Sequence, residues 1–75
     1  MSIDEFVKAF AAEFEDTPEE LFSSETIFKD LEEWGSLIAL SIISMIDDAF
    51  DKTITGADLR SCDTIQELYD LVEAK

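Results

Sequence analysis

The sequence predicts an all-α fold, a small bundle of three main helices plus one short helix. Two observations carry this. Apolar residues recur at helical spacing in separate stretches, and no strand-like alternation competes with them. Each stretch is preceded by a residue suited to opening a helix. With 75 residues the chain reads as one domain spanning 1–75, and a hydrophobic content of 47% supports a core rather than disorder.

The elements follow in order. Ser2 and Glu5 form an S-x-x-E capping box, and Ile3, Phe6, Val7, Phe10, Ala11 and Phe14 repeat on one face behind it, which predicts a helix over 3–15. Thr17 precedes Pro18, the residue favoured at a first helical position, and Glu20 completes a second box; this predicts a turn or two over 18–22. Thr26, Ile27, Phe28 and Leu31 suggest another helical turn that buries Phe28 and Leu31. Such turns break up a connection that would otherwise be unusually long for a small domain.

Gly35 and Ser36 open the second long helix, expected to end near Asp51. Placing its residues around a helical wheel gathers Ala39, Ile42, Ile43, Ile46, Ala49 and Phe50 on a core side. Ser41, Ser44, Asp48 and Leu37 fall opposite, with Ile38 and Met45 at the border. A short third helix is expected after Thr55. A fourth is expected after Asp63, with Gln66 as box partner and Ile65, Leu68, Tyr69 and Val72 as core stripe.

Charge narrows the partners. Nineteen acids against five bases leave a formal charge of −14. Such a chain repels nucleic-acid phosphates and anionic membrane surfaces, so neither is an expected partner, and it suits basic protein surfaces instead. The longest apolar run, 37–46, is interrupted by Ser41 and Ser44 and falls short of the roughly 20 residues of a membrane span. The N-terminus has no signal-peptide pattern, and the single cysteine, Cys62, cannot form an internal disulfide. A cytoplasmic monomer, with Cys62 as a small buried hydrophobe, is the expectation.

Chemistry is narrowed as well. The chain has no histidine, which removes Ser-His-Asp and Cys-His catalysis and the common zinc sites. Adjacent acids at Glu19-Glu20, Glu32-Glu33 and Asp47-Asp48 read as solvated charge. The best calcium-loop window, 51–62, has Gly56 at its sixth position, but Thr53 and Thr55 replace acidic ligands and Cys62 stands where a bidentate glutamate belongs. No catalytic residue and no metal site are expected. Ser36 is left, at the head of the most apolar segment. One reading makes it a helix cap. The other uses the free N–H groups and positive dipole end of a helix N-terminus, which suit a phosphate.

The motifs around Ser36 resemble those of the acyl carrier protein family. That family's signature serine lies within Asp-Ser-Leu at the head of the second helix; here the residues are Gly35-Ser36-Leu37. Upstream, "TIFKDLEEWGSL" is similar to the family's Thr-x-Phe-x-Asp-Leu approach. Downstream, "IDDAFDKTI" resembles its acidic helix end, and "CDTIQELYDLV" resembles its last helix. The match covers essentially the whole chain.

The resemblance implies a carrier, not an enzyme. A phosphopantetheinyl transferase would move 4'-phosphopantetheine from coenzyme A to Ser36, and the arm's thiol would hold acyl groups as thioesters. Acyl-loading and acyl-accepting enzymes with basic or apolar docking surfaces would then meet the cargo, in lipid or fatty acid synthesis or a specialised pathway. A partner surface of Leu37, Ile38, Ser41, Met45 and Asp48 is expected, and an acyl shelter lined by Phe28, Ile46, Ile54, Leu59 and Ile65. Gly35 replaces the family's aspartate, and Ile38 and Ser41 stand where it often has acids, which points to a specialised carrier. An aminoacyl or peptidyl carrier and an unmodified acidic helical adaptor are the alternatives.

Overall fold

The computed structural model describes residues 2–75. Four helices follow one another: α1 (Ile3–Ala11), α2 (Ser36–Phe50), α3 (Gly56–Arg60) and α4 (Ile65–Glu73). Helix α1 packs on α2 and α4, and α3 bridges α2 and α4. The all-α bundle with one short helix is as the sequence predicted, and among the described residues no helix is long and apolar enough to cross a membrane.

Ser2 caps α1, its Oγ accepting the Glu5 amide at 3.2 Å. The helix stops four residues before the expected Glu15. The Glu13 and Phe14 amides turn to the i−3 carbonyls of Phe10 and Ala11, and a carboxylate far along the chain takes the next two amides. Glu33 accepts the amides of Glu15 and Asp16 at 3.0 and 3.1 Å, and the Thr17 hydroxyl at 2.8 Å. Those amides would otherwise continue the helical ladder. The same contact takes Thr17 away from the box expected with Glu20, so the 3-10 turn at Glu19–Leu21 forms with Pro18 as its cap and without a side-chain bond.

A second 3-10 turn, Phe28–Asp30, buries Phe28 completely and Leu31 partly, as expected. The chain before it is stitched to the start of α4. Ile27 pairs with Thr64, the Phe28 amide donates to the Asp63 carbonyl, and the Ile65 and Gln66 amides donate to the carbonyls of Thr26 and Ser24. The long connection between α1 and α2 is therefore ordered by backbone bonds and three buried phenylalanines, Phe14, Phe22 and Phe28.

Both later helices carry complete capping boxes. Thr55 pairs with Asp58 at α3, and Thr64 with Glu67 at α4. The second lies one residue beyond the predicted Asp63–Gln66 pair. Glu67 reaches both the Asp63 and Thr64 amides, at 2.7 and 3.0 Å, which no Gln66 contact matches, while Asp63 faces Lys29. Helix α2 ends at Phe50, and its C-cap Asp51 lies in the left-handed region, φ 56°, which aspartate is one of the few non-glycine residues to adopt.

The core runs through Phe6, Phe10, Phe28, Ile42, Ile46, Ile65, Leu68 and Val72, all fully buried, with Cys62 among the buried apolar side chains as expected. Phe10 is its aromatic centre, with ring centroids 5.5 Å from Phe14 and Phe28, 6.2 Å from Phe22 and 6.5 Å from Trp34. Helix α2 is rotated relative to the wheel expectation. Met45, placed at the border and named as a partner contact, is buried, and Ile38 is half-buried against the core, while Ala49 is exposed. The reason lies in the helix itself, which is apolar around most of its girth, so periodicity alone leaves the buried side undecided.

Candidate functional site

The site is the N-terminal end of α2 and the surface beside it. Gly35 is the N-cap: its backbone is extended, and its carbonyl accepts the Ala39 amide at 2.9 Å. Ser36 is thus the first helical residue and not the cap. Its side chain is exposed, and its hydroxyl makes no hydrogen bond among the described residues. A Cβ at position 35 would meet nothing within 4 Å, so the backbone does not require glycine there.

Two contacts deliver Ser36 to this position. Trp34 donates its amide to the Leu31 carbonyl and sets its indole among the core rings, 4.9 Å from Phe28 and nearly parallel to Phe10. Next to it, the Glu33 carboxylate ties the segment to residues 15–17. Desolvation pushes the Glu33 carboxyl up, but the bonds from Thr17, Asp16 and Glu15 outweigh it and hold the group below its ordinary 4.5. Asp58 and Glu67 are also lowered, chiefly by the backbone amides they cap. A carboxylate lowered on folding contributes stability that is fully present above its unfolded value and lost as pH falls through the folded one. Glu33→Ala is therefore expected to melt at a lower temperature than the parent at pH 7, with the gap closing as pH drops below about 4.5. A gap independent of pH in thermal melts would show that Glu33 acts by packing and not by its charge.

Beside Ser36 a groove of about 610 Å³ opens between α2 and α3. Trp34, Ala39, Leu40, Ile43 and Leu59 give it an apolar floor, and Lys29 and Arg60 stand along it. On the outer face of α2, Leu37 is 81% exposed and Leu40 62%. Asp47 and Asp48 continue that face as exposed acids, and Ser41 is half-exposed. Of the residues expected at a partner surface, Leu37, Ser41 and Asp48 share this face, whereas Met45 and most of Ile38 turn inward. Leu40 was missed, although its spacing of three from Leu37 places it on the same stripe. The expected acyl-shelter residues Phe28, Ile46, Ile54, Leu59 and Ile65 are all buried, and Leu59 also reaches the groove.

Residues 5–72 match the family model described as the phosphopantetheine attachment site. The chain belongs to that family. Comparisons with curated proteins and with solved structures gave no match. Members of the family carry a covalently attached 4'-phosphopantetheine. Such carrier domains are not catalytic; they are substrates of phosphopantetheinyl transferases. This chain is accordingly a phosphopantetheine carrier, with a transferase and acyl-handling enzymes as its implied partners. The residues present fit the group: an exposed serine hydroxyl, unbonded, at the dipole-positive end of a 15-residue helix, beside a groove with apolar walls.

Proposed function

We propose that Ser36 bears the phosphopantetheine arm and that the chain carries acyl groups on it as thioesters. The observation that carries this is the free Ser36 hydroxyl at the first position of α2, behind an N-cap, Gly35, that has no side chain to bond the first-turn amides. A phosphodiester formed there lies against the unpaired N–H groups of the first turn, which favour an anion. Ser36 needs no general base of its own, since the transferase activates the hydroxyl. Cargo of acyl type is supported by the walls of the groove and by the apolar side chains behind Leu59, namely Phe28, Ile46, Ile54 and Ile65. The test is intact mass after incubation with coenzyme A and a broad-specificity phosphopantetheinyl transferase, then with acyl or aminoacyl donors. Gain of one arm followed by one thioester-linked acyl group is the expected result. An unchanged mass, or loading by aminoacyl donors alone, would contradict it.

Partners would dock on the exposed face of α2, with Leu37 and Leu40 nearest the serine, Ser41 beyond them and Asp48 further along. Burying one leucine side chain stabilises a complex by about 1.5–3 kcal/mol, whereas an exposed ion pair gives about 0–1. Leu37→Glu is therefore expected to weaken transfer to a cognate enzyme more than Asp48→Ala does. Because Leu37 is mostly in solvent, its helical circular dichroism should match the parent's. Ile38→Glu is expected to destabilise the fold, since Ile38 packs on the core. Equal transfer by the Leu37→Glu and parent proteins would remove this face from the docking surface.

A further inference from the structure

The groove beside Ser36 differs in charge from the molecule's other depressions. Of the chain's five bases two, Lys29 and Arg60, line it, and no acid does. Other depressions carry more acids than bases: Glu5, Asp51 and Glu73 with Lys52 at the far end of α2, Asp4 and Glu19 with Lys8 beside α1, and Glu13 and Asp48 along the outer face of α2. In a chain of net charge −14, an acid-free cationic groove at the attachment serine is a local inversion.

The two cations are held differently. The Lys29 ammonium donates to the Arg60 carbonyl at 2.6 Å and lies 3.7 Å from Asp63, so it is fixed to the end of α3. The Arg60 guanidinium forms no ion pair among the described residues. It lies back along α3, with Nη1 3.3 Å from where a Cβ on Gly56 would sit; the glycine leaves the space it occupies. Arg60 thus offers an uncommitted planar donor set over the groove, suited to phosphate oxygens.

We infer that Lys29 and Arg60 hold the phosphodiester of the arm, so that the arm rests in the groove over Trp34 and Leu59 when no partner is bound. This rests on Ser36 as the attachment point, and it adds a retention site that the attachment alone does not require. The phosphodiester is the one anion that such attachment fixes beside the groove, within a bond of the Ser36 oxygen. The arm's apolar part then meets the apolar floor. A docking enzyme with its own cations would compete for the phosphate and free the arm.

The sole tryptophan lies in this groove, which gives a direct readout. The experiment compares acrylamide quenching of Trp34 fluorescence in the apo and holo forms of the parent, Arg60→Gln and Arg60→Lys proteins, with the ³¹P resonance of each holo form. Intact mass is checked first. Quenching is expected to fall from apo to holo in the parent, to return to the apo level in holo Arg60→Gln, and to stay low in Arg60→Lys. The ³¹P signal should shift between parent and Arg60→Gln, and less so in high salt, which screens the contact. Arg60 is exposed and only its carbonyl serves the fold, so the variant keeps its structure. Identical quenching of apo and holo parent, or equal protection in holo Arg60→Gln, overturns the inference. So does protection seen only when an acid-bearing acyl group is loaded, which would assign the cations to cargo. A chain that gains no arm contradicts the Ser36 reading itself, and mass separates that case from the others.

Discussion

Phe10→Ala is expected to leave much of the domain unfolded at room temperature. Phe10 is fully buried and touches the rings of Phe14, Phe22, Phe28 and Trp34, so its removal opens a cavity shared by α1 and the loop that leads to Ser36. A buried Phe→Ala change costs about 3–5 kcal/mol. A single core in a domain this small supplies about 3–5 kcal/mol in all. Self-repulsion among the acids reduces that margin further. Leu21→Ala is the comparison, since Leu21 is 58% exposed and surface changes usually stay within about 0.5 kcal/mol. Circular dichroism and thermal melts read both variants. A Phe10→Ala protein that melts with the parent would show that the ring cluster is not the centre of the core.

Ser36→Ala is expected to abolish phosphopantetheine incorporation and leave the fold untouched. The two halves separate because Ser36 is not the cap of α2. Removing a capping hydroxyl costs about 0.5–2 kcal/mol, but here the first helical bond is accepted by the Gly35 carbonyl, and alanine is the best helix former. The variant should melt within a degree or two of the parent and show no mass gain with coenzyme A and the transferase. A melting temperature lower by several degrees would return Ser36 to a capping role. Residual mass gain would move the attachment point elsewhere.

The capping residues made most of the fold legible in the sequence. Ser2, Thr55 and the Asp63-Thr64 pair mark their helix starts by chemistry that acts within three or four residues, and such signals survive without tertiary information. What was misread depends on distant partners. The chain beyond α1 is drawn off the helical path by Glu33, which lies 18 residues from the first amide it captures, and nothing local announces that contact. The same glutamate dissolved the expected Thr17–Glu20 box. The rotation of α2 is hidden by its near-continuous apolar surface, so the wheel puts Met45 at the border and Ala49 on the core side, whereas Met45 is buried and Ala49 exposed. Of the candidate site, the place of Ser36 at the head of α2 and the outward position of Leu37 are legible from the residues around them. The Lys29–Arg60 pair is not, because a bond between an ammonium and a carbonyl 31 residues away creates it.

The most direct test of the central claim is to digest the holo protein and locate the arm by fragmentation mass spectrometry. The arm is expected on Ser36, in the peptide that also contains Trp34 and Leu37, and nowhere else. Finding it on Ser41 or Ser44, or on no serine of a chain exposed to active transferase and coenzyme A, would contradict the account.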